Sequence, residues 1–93
     1  MTDREMLELA ARACGKQHLL LYPDRYGYAE QWNPLTNDGD ALRLAVKMNI
    51  TVHPGFVYTP TGRLIDCRDY ANIIGATRLA IVRAAAEVGR DMG

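Results

Sequence analysis

A chain of 93 residues, 48% hydrophobic and 24% charged, has the composition of one globular domain with a modest core, burying roughly 60–65% of its unfolded surface. That composition excludes extensive disorder, which needs low hydrophobicity and high net charge. Eleven basic and eleven acidic residues cancel to a net charge of zero, which disfavours a protein that works by neutralising nucleic-acid phosphates.

The first helix opens at Thr2. Its hydroxyl is placed to accept from the backbone near Glu5, and Glu5 to reach back, as in a capping box. Asp3 and Glu5 suit the positive helix end. Met6, Leu7, Leu9, Ala10, Ala13 and Cys14 recur at three- and four-residue steps, as on a core-facing helix. Gly15 is the natural stop. His18-Leu19-Leu20-Leu21-Tyr22 then reads as a short strand buried on both faces. Pro23 to Gly27 carries turn chemistry, and Tyr26-Gly27-Tyr28 can begin a second strand.

Trp32 leads into Asn33-Pro34, where proline holds Asn33 in an extended conformation. The central helix is predicted to start at Thr36 or Asn37. With Asn37 as its cap, Asp40 takes the third helical position and favours the helix start. Ala41, Leu42, Ala45, Val46 and Met48 read as one apolar stripe, with Arg43 and Lys47 on the other side and Asn49 as a left-handed terminator.

Ile50-Thr51-Val52 alternates as a strand does, His53-Pro54-Gly55 interrupts it as a bulge or turn, and Phe56-Val57-Tyr58 resumes it. Thr59-Pro60-Thr61-Gly62 is a four-residue hairpin connection to an antiparallel return over Arg63–Cys67. The last helix is predicted from near Asn72 to near Arg90, capped by Asp69 or Asn72. Its apolar arc, from Ile74 to Val88, is wider than a one-sided surface helix needs. It reads as the main cover of the sheet, and the excess leaves room for self-association. Gly75 weakens its first turn, and Gly89 and Gly93 mark fraying at its end. The expected fold is α+β, with three helices packed on a small, mainly antiparallel sheet of three to four strands. The whole chain, residues 1–93, is expected to form a single domain.

No apolar run approaches the roughly 18 residues of a membrane span, and the start is charged from Asp3 without the apolar segment of a secretory leader. A cytoplasmic protein is expected, with no membrane partner. Cys14 and Cys67 are then reduced and act as small buried hydrophobes.

Three stretches resemble the small phage and prophage proteins of the phage ABA (alpha-beta-alpha) sandwich domain group. They are Trp32-Asn33-Pro34-Leu35-Thr36, Asp38 through Lys47, and Ala76-Thr77-Arg78 with Ala80 through Ala86. Met1 through Glu5 is also in keeping with them. The resemblance implies a phage-encoded cytoplasmic protein of a bacterial host cell. It implies no reaction.

Candidate chemistry is sparse. Asn37-Asp38-Gly39-Asp40 fails as a calcium loop. With Gly39 in the sixth place, Pro34, Thr36 and Ala45 fall where ligands belong. Helix capping explains these acids instead. Gly15 separates Cys14 from His18, so they share no helix face for a zinc site. Cys67 with His53 is the best nucleophile–base pair on offer. No phosphate loop occurs, and Asp38 and Asp40 oppose anion capture at their helix start. We therefore expect no catalytic set, no metal and no cofactor.

Protein recognition is the leading expectation, with a host or phage protein as partner and an anti-defence inhibitor among such modules. Tyr22, Arg25, Tyr26 and Tyr28 form a typical recognition composition. Trp32, Asn33, Pro34, Asn37 and Asp40 read as a structural anchor. The alternative is an accessory protein that binds nucleic acid through Arg63, Arg68, Arg78, Arg83 and Arg90, although neutrality argues against it.

Overall fold

The structure, a computed structural model, describes residues 2–15, 32–68 and 71–92. The strand expected at 18–22, the turn and second strand expected across 23–28, and Asp69 as a helix cap lie outside the described residues.

Among the described residues, three helices and a three-stranded antiparallel sheet make an α+β fold. Helix α1 spans Asp3–Cys14. The Glu5 N–H donates to Thr2 Oγ1 at 3.1 Å, and Gly15 closes the helix at φ +78°. The Thr2 hydroxyl meets the Glu5 carboxylate at 3.2 Å, so the second bond of the box runs between side chains. Helix α2 spans Asp38–Lys47 and ends through Met48 and Asn49, whose φ of +59° is the left-handed terminator the sequence suggests.

Strands β1 (Thr51–His53), β2 (Phe56–Tyr58) and β3 (Leu64–Asp66) follow, with β2 in the centre. The interruption at 53–55 resolves as a tight turn. His53 pairs with Phe56, leaving Pro54 and Gly55 as a two-residue connection. Proline presets the first turn position and Gly55, at φ +88°, supplies the second, where a side chain would be strained. The next hairpin closes more tightly than the predicted four-residue connection. The Thr59 N–H donates to the Arg63 carbonyl at 2.8 Å, and the Arg63 N–H donates to Thr59 Oγ1 at 2.9 Å. That leaves Pro60, Thr61 and Gly62 as the loop.

Helix α3, Ile73–Asp91, is the longest element and the organising one. Asn72 caps it, its side chain accepting from the Gly75 N–H at 3.1 Å. It packs along α1, against α2, and on β2 and β3. Its wide arc of Ala80, Ile81, Val82, Ala84, Ala85 and Ala86 is therefore buried by two helices as well as by the sheet. Gly89 does not mark fraying. The helix continues to Asp91, and a Cβ at position 89 would stand 1.8 Å from the Leu9 carbonyl oxygen. Only glycine lets α1 cross that closely.

One expected core stripe turns out differently. In α2 the buried residues are Ala41, Leu44 and Ala45, whereas Leu42 is 63% and Val46 is 74% exposed. The two lie one turn apart on the outer side. The helix is rotated so that its small residues and Leu44 meet α3.

Candidate interaction surface

The corner before α2 is an interlocked set of hydrogen bonds. Trp32 and Pro34 are buried. The Asn33 N–H donates to Asp40 Oδ2 at 3.0 Å, and the Leu35 N–H donates to Asn33 Oδ1 at 3.0 Å. The Asp40 N–H donates to Asn37 Oδ1 at 2.8 Å, and Arg43 holds the other Asp40 oxygen at 2.8 Å. From α3, Arg78 donates to the Leu35 carbonyl at 2.8 Å and to Asp38 Oδ1 at 2.6 Å. The polar side chains of the corner are thus taken up by capping bonds and by two arginines. Asp40 in particular spends both oxygens inside the chain.

Against this corner lies an apolar groove of about 260 Å³. Leu42 of α2, Val52 of β1 and Ile73, Ile74 and Ile81 of α3 line it, with the Asp38–Arg78 pair at its rim. Val52 is 44% exposed although its cross-strand partner Val57, and Ile65 beyond it on β3, are buried. Ile74 is 59% exposed, although the helical pattern suggests that it faces the core. Together with Val46, these side chains form a run of large aliphatic residues facing solvent. Single exposed hydrophobics are ordinary, whereas a set of them around a concave surface is not.

The five arginines proposed as a nucleic-acid face are divided by the fold. Arg78 belongs to the corner, and Arg68 pairs with Asp66 at 2.9 Å. Arg63, Arg83 and Arg90 instead converge on a second cleft of about 250 Å³ at the β3 edge of the same sheet face, floored by Met6, Ile65 and Ala86. Arg63 pairs there with Glu87. The Arg68 hydrogen bonds hold the Asp66 carboxyl below its ordinary value of 3.8.

The face of the sheet that carries Thr51, His53, Phe56, Tyr58, Leu64 and Asp66 bears a small ring cluster. His53 stacks on Phe56 at 4.7 Å, and Tyr58 meets both edge-on. Cys67 lies on the opposite side, buried, with Sγ 3.8 Å from Thr77 Oγ1 on α3. The sheet therefore separates Cys67 from His53, and the two make no nucleophile–base pair. Among the described residues, no group of three or more His, Cys, Asp or Glu side chains is arranged to hold a metal, and no helix is long and apolar enough to cross a membrane.

Tyr22, Arg25, Tyr26 and Tyr28 lie outside the described residues. The groove is a feature that sequence reading missed. Its only local signal is the Leu42–Val46 spacing, which reads equally well as core. Comparison with known protein families, with characterised proteins and with solved structures finds no match to this chain.

Proposed function

We propose that this chain is a small phage- or prophage-encoded protein that acts in the cytoplasm of a bacterial host by binding another protein. An inhibitor of a host defence or regulatory complex is the role this reading favours. The phage attribution rests on the resemblance carried by residues 32–47 and 76–86. The binding mode rests on one observation: the apolar groove between α2, β1 and the first half of α3, with Leu42, Val46, Val52 and Ile74 left in solvent. Its occupant is a partner that presents aliphatic or aromatic side chains. Covering these residues recovers the free energy of burying apolar surface, about 25 cal/mol per Å². The nucleic-acid alternative is weaker, because Arg63, Arg68 and Arg78 are already engaged by Glu87, Asp66 and Asp38.

The test is affinity capture from host lysate with the intact tagged chain, beside the variant Ile74→Lys. Repeated enrichment of one protein by the wild type, lost in the variant, supports the reading. Enrichment of nothing in replicate captures contradicts it.

A further inference from the structure

We infer that the cleft bounded by Arg63, Arg83 and Arg90 is a second contact site, one that receives the carboxylates of an acidic segment of a protein partner. This rests on the protein-binding reading above and adds a chemistry to it.

Three observations carry the inference. The first is the charge left over. Arg63 and Glu87 satisfy each other at the rim, but among the described residues Arg83 and Arg90 carry neither a hydrogen bond nor an ion pair. Both are exposed, so two guanidinium forks stand ready at one cleft. The second is their placement. Positions 83, 87 and 90 share one face of α3, and Arg83 and Arg90 are separated by about 10 Å along the axis at about 1.5 Å per residue. Arg83 also lines the neighbouring hollow, beside Cys67 and the Asp66–Arg68 pair. The third is the floor. Met6, Ile65 and Ala86 are apolar, and they suit the methylene stem of glutamate or an aliphatic neighbour of an acidic residue.

The same observations argue against nucleic acid in this cleft. Among the described residues it holds no aromatic ring on which a base could stack. Guanidinium forks bind carboxylates in two-point hydrogen bonds, which fix the orientation of the bound acidic side chain.

The test titrates the intact protein against a short fluorescein-labelled peptide of glutamates interspersed with leucines. A lysine–leucine peptide and a single-stranded oligothymidylate of equal charge serve as comparisons. Preferential binding of the acidic peptide is expected, weakening with salt. The double variant Arg83→Gln, Arg90→Gln should lower its affinity about tenfold or more, on the scale of hydrogen bonds to charged groups. Arg12→Gln, an exposed arginine elsewhere, should leave it unchanged. Melting curves of each variant confirm that the fold is retained, and Arg83→Lys, which keeps the charge, should lose less than Arg83→Gln. No binding of the acidic peptide, equal binding by the double variant, or tighter binding of the oligonucleotide overturns the inference. Failure here with a groove-dependent partner still captured from lysate removes the cleft alone. Failure of capture removes the parent reading.

Discussion

The two long sides of α3 follow opposite rules. Where α3 meets α1, the contacts are made by small residues. Ala10 and Ala11 of α1 are fully buried, as are Ala84 and Ala85 of α3, and Gly89 brings the two backbones into near contact. Where the first half of α3 meets α2 and β1, the residues are large and the surface is open. A helix that needed only to fold would bury Ile73 and Ile74 as it buries Ile81 and Val82. The small side chains do the packing because close approach gives many weak attractions without voids. Ile73 and Ile74 remain outside, where they contribute little to the isolated chain.

That contrast is breakable from either side. The largest effect is expected on the closed side. Gly89→Ala places a methyl group against the Leu9 carbonyl, and the helices must part. A loss of about 3 kcal/mol, at the upper end for overpacking, should appear in urea denaturation. Next is Asn37→Ala, which removes the cap that starts α2 beside the groove. It should lower stability by about 1 kcal/mol in the same assay. Leu42→Lys with Val46→Lys, on the open side, should change stability by no more than about 0.5 kcal/mol. A substantial destabilisation by this pair would show that the two side chains are core after all.

The smallest effect concerns acid. The Arg68 side-chain hydrogen bonds, with its backbone N–H second, depress the Asp66 carboxyl below 3.8. A carboxyl depressed in the folded state stabilises the fold above its unfolded value and loses that contribution as pH falls through the folded one. Thermal stability should therefore decline from about pH 4 downward, and Asp66→Asn should make that decline slightly shallower. The pair is exposed, so solvent screening keeps the difference small.

The elements themselves were largely legible because their signals are local. Thr2, Gly15, Asn37, Asn49 and Asn72 mark helix ends through bonds made within a few residues. Pro54-Gly55 marks a turn in the same way, although its two-residue length became clear only with the pairing of His53 and Phe56. The orientation of α2 was not legible. Leu42, Leu44, Ala45 and Val46 offer more apolar positions than one face needs, and periodicity cannot tell which of them meet α3. Gly89 was misread for a related reason. A glycine near a helix end resembles a stop, and only the crossing of α1 over it, from eighty residues away in sequence, reveals its task. The groove draws on α2, β1 and α3, and the cleft on α1, β3 and α3. No sequence window contains either.

The most direct measurement places a photo-crosslinking amino acid at position 42 of the intact chain in host cells, with the same probe at Arg12 on exposed α1 as the control. The expected result is a discrete adduct with one other protein from position 42 and none from position 12. No adduct from position 42, or the same adducts from both positions, would contradict the assignment of the open side of α3 as the binding surface.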